Sequence, residues 1–206
     1  TIIATPNVGF TFKYWSDGST DSERIVNMTE NISLSAIFEV TRCTLNISAV
    51  GNGTVNSEIN GVYDYGTEIE IIATVNNHCH LESWSDGSTE LVRTITLVSD
   101  SVIVAYIEPD SFTISATVAG DGHVEGTGTY AYNTEITITA VPDEHNHFTV
   151  WSDGEANAER TIIVTSDIHF VANFAIDKHT ISVVAGDHGV VNSGVNGSYD
   201  YGTQLT

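Results

Sequence analysis

The sequence predicts an all-β fold built as a head-to-tail string of small modules, each about 68 residues long with five or six strands. Three observations point there. Thr, Ser, Val, Ile, Tyr and Gly dominate the composition while Leu, Ala, Lys and Arg are scarce, which favours pleated strands over helices. The tetrapeptide Trp-Ser-Asp-Gly stands at Trp15–Gly18, Trp84–Gly87 and Trp151–Gly154, so the chain repeats itself at intervals of 69 and 67 residues. Apolar residues alternate with polar ones at Ile69-x-Ile71 and Ile136-x-Ile138, the period of a half-buried strand and not of a helix.

Each unit reads in order as follows. A first strand runs into a Gly-rich block, "AVGNGTV", "VAGDGHV" or "VAGDHGVV", which is expected to be a hairpin turn because Gly with Asn or Asp tolerates positive φ. A short strand follows, then "VYDYGTEIEIIAT" (Val62–Thr74), "TYAYNTEITITA" (Thr129–Ala140) or "SYDYGTQLT" (Ser198–Thr206), where Gly or Asn supplies a turn before an alternating strand. After a loop come the Trp strand, the Ser-Asp-Gly turn, a strand carrying Arg24, Arg93 or Arg160 nine positions past each Trp, and a last strand ending at Phe38, Ile107 or Phe174. Ala4, Ala73 and Ala140 stand eleven positions before each Trp. "SERIV" and "AERTI" allow at most a short helical turn.

In this phase residues 1–40 are the C-terminal part of a repeat, 41–109 and 110–177 are complete repeats, and 178–206 are the N-terminal part of another. Thr1 and Thr206 both fall on the phase of Glu70, in mid-strand. The expectation is a window from a longer array, with a subunit that exchanges strands with its neighbour as the alternative.

Asp and Glu outnumber Lys and Arg by 27 to 6, giving a net charge of −21 that repels polyphosphates, so a nucleic-acid partner is not expected. The charge suits solubility outside the cell. No apolar run reaches the roughly 20 residues of a membrane span, and any export signal lies outside this sequence.

The Trp of each tetrapeptide is expected to anchor a module core, worth about 3 kcal/mol in a unit this small, with Ser-Asp-Gly as the hairpin turn after it. Sugar stacking on exposed indoles is the competing reading. Asp17, Asp86 and Asp153 are expected to meet Arg24, Arg93 and Arg160 on the returning strand, an exposed pairing of about 0 to 1 kcal/mol. Cys43 and Cys79 fall in one unit and are expected to face the interior from neighbouring strands as a disulfide, the alternative being two buried thiols. His78 and His80, like His145 and His147, are spaced to point the same way, yet no third ligand recurs in phase, so no metal is expected. Five Asn-x-Ser/Thr sequons, at Asn27, Asn31, Asn46, Asn52 and Asn196, are candidate glycan acceptors. No catalytic motif is present, no cofactor is expected, and a catalytic site would have to break the repeat.

"ATPNVGFTFKYWSDG" (Ala4–Gly18), with the upstream Tyr-Gly-Thr, resembles the divergent internalin B-type repeats, which occur in tandem in secreted and surface-anchored proteins of bacteria and archaea. The resemblance spans both complete and both partial copies. Val75 in place of proline, Asn133 in place of glycine and the missing Gly-Phe pair in later copies depart from the pattern in loops and turns. The resemblance implies small β-rich spacer, stalk or adhesive modules without catalysis. The function expected is therefore a non-enzymatic extracellular string, a surface filament or stalk whose partners are adjoining repeats or copies of itself, with covalent glycans as a further partner. An adhesin or glycan-binding segment is the alternative, with Tyr63, Tyr65, Tyr130, Tyr132, Tyr199 and Tyr201 as its exposed aromatics. On the structural reading, one tyrosine of each pair packs inside and the other meets a neighbouring module.

Overall fold

The computed structural model describes residues 1–191 and 193–206. Two compact units divide between Pro109 and Asp110. The first opens with β1 (Ile2–Ile3), β2 (Phe10–Trp15), β3 (Glu23–Arg24) and β4 (Ala36–Val40), where β1 pairs with β3 and β2 with β4. It continues with β5 (Arg42–Gly51), β6 (Gly53–Val55), β7 (Gly61–Asp64), β8 (Thr67–Val75), β9 (Cys79–Trp84), β10 (Val92–Leu97) and β11 (Ser101–Pro109). The second unit repeats that set as β12 (Ser111–Ala119), β13 (Gly122–Glu125), β14 (Gly128–Ala131), β15 (Glu135–Pro142), β16 (Asn146–Trp151), β17 (Glu159–Ile163) and β18 (Ile168–Ile176), then ends in the antiparallel pair β19 (Lys178–Ile181) and β20 (Gly197–Asp200).

A complete module thus has seven strands, more than the five or six expected, in two sheets. One is four-stranded, ordered β7-β5-β11-β9, and the other three-stranded, ordered β10-β8-β6. The counterparts are β14-β12-β18-β16 and β13-β15-β17. The sheets face each other across one core. In the first unit it joins Cys43, Leu45, Ile47, Trp84, Ile103 and Ala105 from one sheet to Ile69, Ile71, Ala73 and Leu97 from the other. In the second, Ile114, Trp151, Phe170, Ala172 and Phe174 meet Ile136, Ile138, Ala140 and Val164. Strict alternation along β8 and β15 places every second side chain in this layer.

The Gly-rich blocks are not hairpins. β6 pairs with β8 and not with β5, so the chain crosses at Gly51 from one sheet to the other. The crossing passes tightly over the end of β11: Gly51 has φ +103, and a Cβ there would lie 1.8 Å from the Ile107 carbonyl oxygen. Gly120 (φ +95) crosses the Phe174 carbonyl in the same way. Steric contact with the last strand selects glycine here, beyond turn preference.

The cysteines require a second correction. Cys43 begins β5 and Cys79 begins β9, and β11 lies between those strands. In register, Gly51 pairs with Ile107 while Cys79 pairs with Pro109, so the two thiols sit at opposite ends of the sheet, roughly 30 Å apart along the strands. A disulfide needs Cα atoms within about 7 Å. Both are free thiols, Cys43 buried and Cys79 half-buried.

Candidate functional site

Every letter of Trp-Ser-Asp-Gly has a mechanical contact, repeated three times. The tryptophans are 6, 1 and 1 % exposed, and each indole Nε1 donates to the carbonyl six residues on: Asp21 at 2.8 Å, Glu90 at 2.8 Å and Asn157 at 2.9 Å. An indole needs such an acceptor once its N–H leaves water. Each serine joins the turn to the last strand. Ser16 Oγ accepts from Ser35 N–H at 3.0 Å, Ser85 Oγ from Val104 N–H at 3.1 Å and Ser152 Oγ from Val171 N–H at 3.0 Å. Each glycine lies at φ near +90 and its N–H returns to the tryptophan carbonyl, as in Gly87 to Trp84 at 2.8 Å.

Each aspartate accepts from the backbone N–H two residues on, and each meets its arginine. Arg24 Nη1 donates to Asp17 at 2.8 Å, Arg160 Nη1 reaches both Asp153 oxygens at 2.8 and 2.7 Å, and Arg93 Nη2 bonds Asp86. All three carboxyls are held below the ordinary carboxylate range. At Asp17 the largest cause is the Ser19 backbone N–H, followed by Arg24. At Asp86 it is the Arg93 hydrogen bond. At Asp153 partial burial pushes upward and is outweighed by Arg160 and the Glu155 N–H.

The strands flanking this turn do not pair with each other. β9 lies in the four-stranded sheet and β10 in the three-stranded one, so Trp-Ser-Asp-Gly carries the chain between layers, and the Asp–Arg contact spans that crossing instead of a hairpin. The arginines are themselves half-covered by aromatic faces: Arg93 Cζ stands 5.6 Å from the Trp84 ring and Arg160 Cζ 4.9 Å from the Phe170 ring.

A second repeated arrangement joins one module to the next and includes the outer tyrosine of each pair, as expected, while its partners on the preceding module were not expected. A single residue separates β4 from β5, Thr41, and another separates β18 from β19, Asp177. Thr41 N–H donates to Gly9 O at 2.8 Å, and Tyr65 N–H donates to Thr41 O at 2.8 Å. Likewise Asp177 N–H donates to His145 O at 2.9 Å and Tyr201 N–H to Asp177 O at 2.8 Å. Gly9 and His145 share positive φ, +82 and +64. The Tyr65 ring lies against Gly9, where a Cβ would come within 2.6 Å of it, and the Tyr201 ring stacks on His145 at 3.5 Å. The first tyrosines turn inward: Tyr63 hooks the Ile59 carbonyl, and Tyr130 the Gly126 carbonyl at 3.0 Å. His78 also takes positive φ, +59, at the same phase, so a histidine aligned with a glycine was the available signal.

The remaining candidates are dispersed. His147 Nδ1 lies 2.8 Å from Asp177, and His80 Nε2 lies 3.6 Å from Glu82. Among the described residues no group of three or more His, Cys, Asp or Glu is arranged to hold a metal ion. Asn27, Asn31, Asn46 and Asn52 are exposed. Asn196 is exposed too, yet its side chain accepts from Val183 N–H at 2.5 Å and donates to Val183 O at 3.1 Å, as Asn60 does with Ile47. Among the described residues no helix is long and apolar enough to cross a membrane.

No curated protein matches the sequence. The family profile of the divergent InlB B-repeat domain matches it three times in tandem, over residues 1–42, 43–106 and 112–178. With three matches covering most of its length, and with the repeated turn carrying the same contacts in each copy, the chain belongs to the divergent InlB B-repeat family.

Proposed function

We propose that the chain is a segment of an extracellular, non-enzymatic structural protein in which tandem β modules form a surface filament or stalk. One observation carries this reading. The residues that recur in phase are engaged in holding a module together or in joining it to its neighbour, and the joints at Thr41 and Asp177 are single residues whose N–H and C=O are both bonded. Repeat strings of this kind gain length without redesign because each module contacts mainly its neighbours. The net charge of −21 disfavours collapse of such strings onto one another. The family membership supports surface or secreted placement, and Asn27, Asn31, Asn46 and Asn52 leave room for glycans. The Asn196 amide bonds Val183, and the Asn52 amide oxygen accepts from Asn76.

An adhesive aromatic ladder would need exposed rings in line, whereas the three indoles are buried and, of the paired tyrosines, Tyr63, Tyr65, Tyr130, Tyr132 and Tyr199 are half-buried and Tyr201 alone is exposed. Negative-stain microscopy of the native material tests the proposal: filaments or extended strings at the cell surface are the expected result, and compact particles bound to a glycan would replace it with the adhesin reading.

A further inference from the structure

We infer that each complete module is a force-bearing clamp, able to hold tension applied along the string; this rests on the string reading above. The inference comes from strand order. The first and last strands of the module, β5 and β11, are hydrogen-bonded neighbours at the centre of the four-stranded sheet, and they run parallel. Their register extends over seven residue pairs, from Leu45 with Ser101 to Gly51 with Ile107. In the second unit β12 and β18 repeat this over six, from Ile114 with Ile168 to Ala119 with Asn173.

Parallel neighbours place the start of the first strand and the end of the last at opposite ends of the ladder. Tension entering at one and leaving at the other slides the two strands past each other. The evenly spaced bonds of a parallel ladder then share the load and must fail together. Peeling the same ladder from one end would break them singly. Forced unfolding is governed by the barrier to unfolding and not by equilibrium stability, so the direction of loading sets the resistance.

Side chains add to the same ladder. Asp100 Oδ1 accepts Thr44 N–H at 2.6 Å and Asp167 Oδ1 accepts Thr113 N–H at 2.7 Å, holding the first strand where load enters. His169 on β18 bridges to β12 through both ring nitrogens, to Ser115 Oγ at 3.0 Å and Thr117 Oγ1 at 3.2 Å. The core side of the ladder carries Leu45, Ile47, Ile103 and Ala105, or Ile114, Phe170 and Ala172, so sliding also drags apolar side chains out of the core. One residue, Asp110, separates the end of β11 from the start of β12, and one residue, Asp177, separates β18 from β19, so little chain lies between a last strand and the next first strand.

The test pulls the same module in two directions within the full chain, using azide-bearing residues as attachment points in an optical trap. Handles at the exposed positions Ser111 and Ile176 load β12 against β18 in shear, and handles at Ser111 and Ser166 peel them from one end. The expected result, at equal loading rate, is an unfolding force at least about twofold higher in shear. In shear, His169→Ala lowers that force while leaving the peeling force unchanged. Equal forces in the two directions, or a weaker shear response, overturn the clamp. Either outcome is independent of whether native material forms filaments, so failure of the string reading and failure of the clamp are told apart.

Discussion

In the first unit the two central strands set Ile47 opposite Ile103; in the second the same pair is Ala116 opposite Phe170. The summed bulk is similar, but it has moved from two medium side chains to one large and one small. The Phe170 ring then packs edge-on against Trp151 at 5.8 Å and takes the arginine that in the first unit covers the tryptophan itself. A second difference lies at the opposite edge. Asn60 bonds both backbone groups of Ile47, while among the described residues its phase-mate Thr127 makes no such bond, and Gly126 brings the chain close to the Thr137 carbonyl instead. The lesson is that these repeats preserve the volume of a cross-strand pair and the satisfaction of a backbone group, and let the individual residue drift.

The largest expected effect tests what the two units share. Trp84→Ala and Trp151→Ala should each cost about 3–5 kcal/mol, read by urea unfolding with amide exchange resolved by module. A cost in one unit only would break the equivalence. Next comes the exchanged pair: Ile47→Ala alone should cost about 2–4 kcal/mol and Ile103→Phe alone about 1–3 kcal/mol, while the double variant returns to within about 1.5 kcal/mol of the parent. Purely additive losses would sink the idea that the pair is the unit of substitution.

Asn60→Ala should destabilise the first unit by about 1–2 kcal/mol by leaving the Ile47 N–H and C=O unpaired, and Thr127→Ala should be near neutral, by thermal melting of each variant. A smaller effect concerns acid. Asp17, Asp86 and Asp153 have lowered folded values, so their contribution is present above the unfolded value of about 3.9 and is lost as pH falls through each folded value. Carboxyl carbon shifts followed from about pH 5 to about pH 2 should titrate below that unfolded value, and Arg24→Gln, Arg93→Gln and Arg160→Gln should move each midpoint upward. The smallest is a null: reductant should leave the melting curve unchanged, because Cys43 and Cys79 lie at opposite ends of the sheet.

The all-β class, the tandem repeats and the family were legible because each leaves a linear mark: alternation at Ile69 and Ile71, and a Trp-Ser-Asp-Gly block recurring in phase. The Gly-rich crossing is not told from a hairpin by sequence because positive φ at Gly51 serves both, and only the Ile107 carbonyl beneath it distinguishes them. The disulfide expectation failed for a related cause. Phase placed Cys43 and Cys79 on apolar positions, but it carried no information on which strand lies between two others. The inward and outward tyrosines of each pair were legible, but the serine contacts and the Gly9 and His145 sides of the tyrosine joints were not, because their partners are distant in sequence and of unlike type.

By itself the amino-acid order determined the pleated period, the turn positions and the module count, since these depend on neighbours along the chain. Tertiary structure alone decided sheet membership, the parallel pairing of first and last strands, and the partners across each crossing. Those follow from two layers burying one core, a constraint that acts through space and selects among pairings that local pattern leaves equal.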